Sequence, residues 1–306
     1  VISIMDSFVV KNDVAEALAD GRPVVALEST LISHGLPAPH NLQAAQKAET
    51  VIRAAGAVPA TIAVIDGQIR VGLSASELER LADTNNPWKL SRDNLATAIV
   101  QNATGGTTVA ATMICAHQAR IGVFATGGIG GVHRGWQESL DVSADLRELA
   151  RTPVTVVCSG AKSLLDLPAT LEYLETMGVP VIGLATDELP AFFSIESGLV
   201  LRQSASNVAG AATIIVKRRA LQLEGGEILA VPPPAQAALP QTQVEQWIES
   251  ALSEVRRAGL RGQSVTPFLL TRLRELSGGR TLTTNIALIG HNAATAAALA
   301  GEISRA

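Results

Sequence analysis

The chain has 306 residues, of which 24 are basic and 28 are acidic, so its formal net charge is −4. Hydrophobic residues make up 47% and charged residues 17%. This composition excludes intrinsic disorder, which needs low hydrophobicity and high net charge. The pI is near 5.8, and the longest basic run is Lys217–Arg219. Charge-driven binding to nucleic acid is therefore not expected.

Three further features limit the class of protein. There is no uninterrupted apolar run of about 18 residues, the length that spans a bilayer. Val1–Met5 lacks the basic and long apolar regions of a secretory signal. The two cysteines, Cys115 and Cys158, lie in unrelated apolar contexts, so we expect buried, reduced thiols. Together these features predict a cytoplasmic protein without a membrane partner.

Apolar strand-like runs alternate with helical patterns along the chain. In chain order, the pattern predicts a strand at Pro23–Leu27, a helix at His40–Ala55, strands at Pro59–Ile65 and Gln68–Val71, helices at Ser74–Ala82 and Thr107–Arg120, a strand at Ile121–Ala125, a helix at Ser143–Ala150, a strand at Pro153–Cys158, a helix at Leu164–Met177, a strand at Val179–Ile182, a helix at Asn207–Leu223, a strand at Ile228–Val231, and helices at Val244–Ala258, Pro267–Leu276 and Asn285–Ala300. Asp66-Gly67 predicts a hairpin turn, and Ser74 with Glu77 predicts a capping box.

Strand–helix alternation with continuous Val- and Ile-rich strands is typical of a sheet that helices cover on both faces. We therefore predict a single three-layer α/β/α domain over residues 1–306, with a largely parallel or mixed central sheet. No internal repeat is visible. The segments Pro232–Pro234 and Ala235–Gln243 are expected to form a surface connection.

Two polar residues stand where ligands collect in such sheets, at the carboxyl ends of strands. Glu28 follows four apolar residues, and a carboxylate there is costly unless it is paired or serves acid–base chemistry. Alternatively, it accepts hydrogen bonds from the following turn. Lys162 lies at the predicted start of a helix, where the positive partial charge disfavours an ammonium and favours a nucleophilic amine. The alternative is a solvated lysine in the first helical turn.

Two glycine-rich segments follow predicted strands or precede predicted helices. The amides of Thr126–His133 could approach an anion or a sugar closely. This segment is not the dinucleotide fingerprint, because His133 stands where the third glycine would be. Asn102–Thr108 is a candidate phosphate cradle at a helix start. Either segment could instead be a tight turn alone.

An acidic segment supplies candidate metal ligands. Asp141 and Asp145 flank Ser143, and oxygen ligands of this kind suit Mg²⁺ or Mn²⁺. Ser143 and Asp145 could equally cap the next helix. Zinc-ligand spacing, a P-loop and a Gly-x-Ser-x-Gly elbow are all missing from the sequence. Zinc sites, P-loop kinases and elbow-type serine hydrolases are therefore disfavoured.

Taken together, these segments resemble the pseudouridine-5′-phosphate glycosidase family, which is also named for indigoidine synthase A. The matching blocks run in family order over nearly the whole chain: Ala26–Gly35, Lys89–Arg92, Thr126–Arg134, Asp141–Asp145, Ser159–Ser163, Thr186–Phe192 and Asn285–Leu288. The resemblance implies reversible cleavage of the C-glycosidic bond of pseudouridine 5′-phosphate to uracil and ribose 5-phosphate, in pseudouridine catabolism. It also implies Mn²⁺, a homotrimer, and a separate kinase that supplies the phosphorylated substrate.

The resemblance also assigns residues. It implies that Lys162 forms a Schiff base on the ring-opened sugar and that Glu28 is the proton donor. Asp141 is the implied metal ligand. The implied substrate-binding residues are Lys89, the Val109 backbone, Ser143, Ala144 and Asp145, with His133 and Asn285 as further active-site positions.

Three positions depart from the family pattern. Leu184 and Phe193 stand where many relatives carry Tyr, and Asp93 stands where Arg is usual. We expect these changes to affect substrate preference more than the reaction. Two alternatives stay open: a Schiff-base aldolase that acts on another sugar phosphate, and a sugar-phosphate-binding protein without turnover.

Overall fold

The computed structural model describes residues 7–260 and 265–306. Within them, eleven strands form one large sheet. The strands are β1 (Phe8–Val10), β2 (Val24–Leu27), β3 (Val58–Ile65), β4 (Gln68–Val71), β5 (Trp88–Leu90), β6 (Gly105–Thr107), β7 (Val123–Ala125), β8 (Thr155–Cys158), β9 (Val181–Leu184), β10 (Gln203–Ala205) and β11 (Glu227–Ala230).

The sheet is mixed but mostly parallel. Its main order is β1-β4-β3-β2-β7-β8-β11-β9-β10. β4 and β6 run antiparallel to β3, and β5 pairs in parallel with β6. The central strands β2, β7, β8 and β11 are parallel to their neighbours, with Phe124 opposite both Ala26 and Val156. Their carboxyl ends therefore meet at one edge of the sheet, where ligands bind in this architecture.

Twelve α-helices lie within the described residues. They are α1 (Asn12–Ala19), α2 (His40–Ala54), α3 (Ala75–Asp83), α4 (Leu95–Val100), α5 (Val109–Gln118), α6 (Trp136–Ser139), α7 (Ala144–Leu149), α8 (Leu167–Thr176), α9 (Val208–Ala220), α10 (Gln241–Ala258), α11 (Val265–Leu276) and α12 (Arg280–Arg305). A short π-helix at Leu31–Gly35 follows β2.

Helices cover both faces of the sheet. Successive strand residues point to opposite faces, so in β2 Ala26 packs into one apolar cluster and Val25 into another. β8 shows the same division between Val156 and Val157. Helices α1, α5, α7 and α8 contribute to the first cluster, and α2, α9 and α12 contribute to the second. The predicted α/β class with helices on both faces is confirmed, whereas the single domain over 1–306 stays a prediction.

Several local predictions are also confirmed. β3 and β4 form the hairpin across Asp66-Gly67, and both residues adopt a positive φ. Ser74 and Glu77 form the capping box of α3. Cys115 and Cys158 are free and buried, and burial raises the pKa of each thiol to about 12.

One predicted boundary is wrong in a way that matters for the site. The helix predicted at Thr107–Arg120 is α5, which begins only at Val109 because Thr108 caps it and accepts a hydrogen bond from the Ala111 amide. The preceding residues form β6 and pair with β3 and β5. Short elements without a clear period were not predicted: β1, β5, β6, β10, α1, α4 and α6.

Among the described helices, α12 is long and apolar enough to cross a membrane by length and composition alone. Half of that stretch is buried inside the protein. It packs against α2 and α9 and contacts β7 and β8. These contacts are typical of the core helix of a globular protein.

Candidate active site

Two adjoining cavities open at the carboxyl edge of the sheet. The polar cavity is lined by Ser91, Asp93, Asn94, Thr108, Val109, Gly130, His133, Ser139, Asp141, Ser143, Ala144 and Asp145, together with the apolar residues Leu140, Val142, Leu164 and Leu165. The apolar cavity is lined by Leu27, Leu31, His34, Ala45, Ala48, Ala125, Thr126, Gly127, Gly128, Phe192, Leu270, Asn285 and Ile289. Both are lined by Glu28, Thr30, Lys89 and Lys162. These four residues form the junction of the two cavities.

Glu28 is half-buried directly after β2, and hydroxyl groups hold both of its carboxylate oxygens. Thr30 donates to Oε2 from the following turn, and Thr126 donates to Oε1 from the end of β7. The turn contact that the sequence offered as an alternative is therefore present. The same carboxylate also lines the junction, so it is both structurally fixed and open to a ligand.

Lys162 is not in a helix, and the prediction that placed it at a helix start is wrong. α8 begins at Leu167, because the Asp166 side chain caps it through the Ala169 amide at 3.0 Å. The helix dipole argument therefore does not apply to this amine. Instead, the backbone fixes the residue, since the Lys162 amide donates to the Ile129 carbonyl at 3.1 Å. Its amine has no hydrogen bond or ion pair with any residue that the structure describes.

Lys89 comes from β5 and lies near Lys162. Burial lowers the pKa of the Lys89 amine, and the positive charge of Lys162 lowers it further. The carboxylates of Asp145, Glu28 and Asp141 act in the opposite direction. Two lysines that form no ion pair within the described chain therefore face one cavity, an arrangement that favours an anionic ligand such as a phosphate.

Asp145 organises the wall of the polar cavity. Its Oδ1 accepts a hydrogen bond from the Ala110 amide at 2.9 Å, and its Oδ2 accepts one from the Gly130 amide at 2.8 Å. Ser143 caps α7 by accepting from the Asp145 amide at 3.2 Å. The capping alternative is confirmed for Ser143. The buried Asp145 carboxylate joins the start of α5 to the glycine segment.

The glycine segments allow close packing, and some of their amides already have partners within the protein. In the first segment, the amides of Ile129 and Gly130 donate to Gly160 and Asp145 and are not free for an anion. A Cβ on Gly130 would lie only 2.3 Å from Ser143 Oγ. The second predicted cradle is wrong, because Gly106 is buried in β6, where a Cβ would lie 2.3 Å from Ser33 Oγ.

The candidate metal ligand Asp141 is exposed at the polar cavity, with Oδ2 3.7 Å from His133 Nδ1. Burial lowers the pKa of His133, and the Asp141 carboxylate opposes that shift. Within the described ranges, no cluster of three or more His, Cys, Asp or Glu side chains could hold a metal ion. A single exposed carboxylate fits a hydrated Mg²⁺ or Mn²⁺, which keeps several waters, but does not fit a metal held by protein ligands alone.

Sequence reasoning missed several residues of the site. His34 borders the apolar cavity from the π-helix, with Nδ1 2.7 Å from Ser33 Oγ. Burial and the charge of Lys89 lower the pKa of His34. Its place in the block Ala26–Gly35 was the available signal. Thr126 and Phe192 also line this cavity, and each lies in a block that the resemblance had already marked.

The three departures from the family pattern lie at different depths. Asp93 lines the polar cavity. Phe193 is buried and packs edge-on against Phe192, with ring centroids 4.7 Å apart. Leu184 ends β9 and does not line either cavity. Of the three positions, Asp93 is therefore the one placed to affect ligand binding directly.

Comparison with known proteins identifies the family of the chain. A family model described as "Indigoidine synthase A like protein" matches residues 13–302. The pseudouridine-5′-phosphate glycosidase of Paracoccus denitrificans is 54% identical over 294 residues, which cover 95% of this chain and 97% of the relative. The enzyme of that name from Geobacillus kaustophilus is 50% identical over 299 residues, covering 98% and 99%.

Two solved structures share the fold. The prealnumycin C-glycosynthase AlnA, in complex with ribulose 5-phosphate, superposes with a TM-score of 0.91 at 38% identity and covers 97% of both chains. An indigoidine synthase A-like protein from Thermotoga maritima has a TM-score of 0.88 at 33% identity, with the same coverage. The chain therefore belongs to the indigoidine synthase A-like family, which includes the pseudouridine-5′-phosphate glycosidases.

Proposed function

We propose that this chain is an enzyme that cleaves the C-glycosidic bond of pseudouridine 5′-phosphate reversibly, giving uracil and ribose 5-phosphate. The observation that carries the proposal is the junction of the two cavities, where Glu28, Lys89 and Lys162 lie together. A substrate with one polar, phosphorylated part and one flat, weakly polar part fits two such cavities. The bond between the two parts would then lie beside the acid and the amine.

The polar cavity is the proposed site of the sugar phosphate. Lys89 supplies positive charge there, and the wall formed by Val109, Ser143, Ala144 and Asp145 supplies amides and hydroxyls. This assignment is consistent with AlnA, a 38% identical protein solved with ribulose 5-phosphate. His133 faces the same cavity beside Asp141. We assign His133 to the same part of the substrate.

The apolar cavity is the proposed site of uracil. Its walls are mainly aliphatic, with Phe192 as the aromatic residue, and Asn285 places a side-chain amide on its border. An amide can both donate and accept hydrogen bonds, as the edge of uracil requires. The few aromatic residues of the chain, only 3%, fit recognition through amides and shape rather than through extensive stacking.

The proposed chemistry begins with the amine of Lys162. The bond between Nζ and C1′ replaces the bond between C1′ and the ring oxygen, which takes up the proton that the attacking amine loses, and the ribose opens. The nitrogen lone pair then expels uracil as Glu28 delivers a proton to C5 of the base, and an imine remains on Lys162. Water hydrolyses this imine and releases ribose 5-phosphate. A leaving group that departs from carbon needs such an electron sink, because protonation of a heteroatom alone is not enough.

Several finer features belong to this proposal. Asp141 would hold a hydrated Mn²⁺ at the polar cavity, where the ion would neutralise charge on the phosphorylated substrate. We also propose a homotrimer in the cytoplasm and a role in pseudouridine catabolism, with a separate kinase supplying the phosphorylated substrate. The oligomeric state can be checked by sedimentation.

The deciding experiment is a coupling assay with uracil and ribose 5-phosphate, run after chelation, with and without added Mn²⁺. The wild-type chain should form pseudouridine 5′-phosphate, and Lys162→Ala should form none while it keeps its melting temperature. Formation of a lysine adduct without any coupling to uracil would instead favour a Schiff-base aldolase. Ligand-dependent thermal stabilisation without product would favour a binding protein without turnover.

A further inference from the structure

We propose that Asn292 is a positioning residue that holds two loops in one fixed arrangement. The first loop follows β7 and contains Thr126, whose hydroxyl contacts Glu28, and the second follows β8 and contains Lys162. The proposal rests on the function above, since it concerns the acid and the amine of that reaction. Asn292 lies on α12 and is fully buried. It lines neither cavity, so it does not touch the substrate.

The first contact of Asn292 supports Thr126, the residue that orients Glu28. Its Nδ2 donates a hydrogen bond to the carbonyl oxygen of Thr126 at 2.9 Å. The hydroxyl of the same threonine donates to Oε1 of Glu28. Asn292 therefore fixes the backbone of the residue whose side chain orients the proposed proton donor.

The second contact of Asn292 is with Ser159, in the segment that carries Lys162. Nδ2 of Asn292 lies 3.1 Å from Oγ of Ser159, and Ser159 opens the segment Ser159–Lys162 that follows β8. The two loops are also joined directly, because the Ser159 amide donates to the Gly127 carbonyl at 3.0 Å. One side chain thus bridges the two loops that carry the reacting groups.

The surroundings of Asn292 show that it is not there for ordinary packing. The neighbouring α12 residues Leu288, Ala293 and Ala296 are all fully buried and apolar. A buried amide without a hydrogen-bond partner is destabilising, so a polar residue at this place needs specific partners. Its partners on other elements, Thr126, Gly127 and Ser159, all lie in the two loops.

α12 also reaches the cavity itself. Asn285 lies seven residues before Asn292, which is about two helical turns and hence the same face of the helix. Gly127 packs tightly against this face, since a Cβ on it would lie 3.2 Å from Leu288 and 3.4 Å from Asn285 Oδ1. The position of α12 therefore determines both the placement of Asn285 at the apolar cavity and the spacing of the two loops.

The residues that line the polar cavity have other supports. Asp145 is fixed by the amides of Ala110 and Gly130, and Ser143 is fixed as the cap of α7. Asn292 contacts none of these residues. Loss of its amide should therefore disturb the relative placement of the amine and the acid while it leaves binding of the sugar phosphate nearly intact.

The test compares Asn292→Ala with Thr284→Val, a control on the same helix that removes a buried hydrogen bond to the Ala237 carbonyl. Both are assayed by uracil coupling, well below their melting temperatures. Because a misplacement near 1 Å can cost about 100-fold in rate, we expect Asn292→Ala to lower kcat by roughly 10- to 100-fold. KM for ribose 5-phosphate should stay within about threefold, and the control should keep kcat within about twofold.

A milder variant, Ser159→Ala, removes the other end of the second contact. Combined with Asn292→Ala, it should add little further loss of kcat, because the two changes break one connection. Unchanged kcat in Asn292→Ala, a loss confined to KM, or equal losses in Asn292→Ala and Thr284→Val would overturn the proposal.

A readout that is independent of turnover separates this inference from the proposed function. In Asn292→Ala, hydrogen exchange should become faster in both loops, residues 126–128 and 158–163, and stay unchanged at Gly130, which Asp145 holds, and in α5. Faster exchange in only one loop, or in neither, would contradict the bridging role. Failure of the wild-type chain to couple uracil would instead contradict the proposed function, whatever the exchange pattern.

Discussion

The hydroxyl of Thr126 donates a hydrogen bond to Oε1 of Glu28 across two neighbouring strands. Thr126 directly follows β7 and Glu28 directly follows β2, so the parallel pairing of those strands brings the two side chains together. Thr30 holds the other carboxylate oxygen. The proposed proton donor therefore has a fixed orientation toward the junction of the two cavities before any substrate binds.

This relationship gives the first prediction. Thr126→Val keeps the shape of the side chain but removes the donor to Glu28, so the carboxyl group loses one of its two supports. We expect kcat to fall by roughly 10-fold with little change in KM, since positioning errors act mainly on the chemical step. Steady-state coupling assays check this. The matched control is Thr213→Val, which removes a hydrogen bond from the Thr213 hydroxyl to the Ala209 carbonyl on the exposed face of α9. Equal kcat in Thr126→Val and wild type would contradict the orienting role.

The second prediction concerns the wall of the polar cavity. In Gly130→Ala, the new Cβ would lie 2.3 Å from Ser143 Oγ and 2.7 Å from Asp145 Oδ2, so both side chains must move. We expect KM for ribose 5-phosphate to rise by roughly 10-fold and stability to fall by about 1–3 kcal/mol, as for other overpacked sites.

The control for that change is Gly301→Ala in α12. The nearest atom to its new Cβ is Arg305 Nη2 at 3.9 Å, so nothing must move. This variant should be stabilised by up to about 1 kcal/mol, because Ala is the better helix former. Thermal melts and KM measurements on both variants decide the matter. A normal KM in Gly130→Ala would show that the wall does not contact the sugar phosphate.

The third prediction is a pH dependence that arises from Lys89. Burial and the neighbouring Lys162 lower the pKa of Lys89 from its ordinary value of 10.5. The ammonium is present below the lowered pKa and is lost as pH rises through it, so phosphate binding should weaken at a lower pH than for an ordinary lysine. KM measured against pH should therefore rise on the alkaline side.

Lys89→Arg provides the comparison, because an arginine stays charged over the whole range. Its KM should be almost independent of pH on the alkaline side, even if the value itself is higher than in wild type. An equal alkaline rise in wild type and Lys89→Arg would show that another group titrates. Lys162→Ala cannot serve here, since it removes the proposed chemistry itself.

The fourth prediction concerns the metal. Asp141 is exposed and is the carboxylate placed for a hydrated cation, whereas each oxygen of the buried Asp145 carboxylate already accepts a hydrogen bond from a backbone amide. Asp141→Asn should raise the Mn²⁺ concentration for half-maximal activity by roughly 10-fold or more, since a neutral amide is a weaker ligand for a hard cation. Its melting temperature should stay close to that of wild type. Asp145→Asn should instead lose stability. Mn²⁺ titrations of chelated protein that coincide for wild type and Asp141→Asn would exclude this ligand.

Much of the fold could be predicted from local patterns. The central strands are continuous apolar runs, and a turn pair such as Asp66-Gly67 or a capping box at Ser74 depends on neighbouring residues alone. The short strands β5 and β6 could not be predicted in this way. β6 is Gly-Gly-Thr, whose two glycines disfavour a strand, and it forms because β3 and β5 supply its hydrogen bonds.

The candidate site, like the fold, could be predicted from local sequence only in part. Glu28 and Lys162 could be found because a charged residue directly after a buried strand, or a few residues past its end, stands out in the sequence. The helix assigned to Lys162 was wrong, since the Asp166 cap moves the start of α8 to Leu167. Asn292 gives no signal in its own segment. Its partners Thr126 and Ser159 are 166 and 133 residues away in the chain, so only the tertiary structure reveals its contacts.

The most direct test of the account is to trap the covalent intermediate. The protein is incubated with ribose 5-phosphate, reduced with borohydride, and digested for peptide mass spectrometry. Lys89 lies in the same cavity and has a lowered pKa, so it is the internal competitor. If Lys162 forms the imine with the sugar, we expect a pentose phosphate adduct on Lys162, which persists in Lys89→Arg and disappears in Lys162→Arg. An adduct on Lys89, or none at all in an active enzyme, would contradict this role of Lys162.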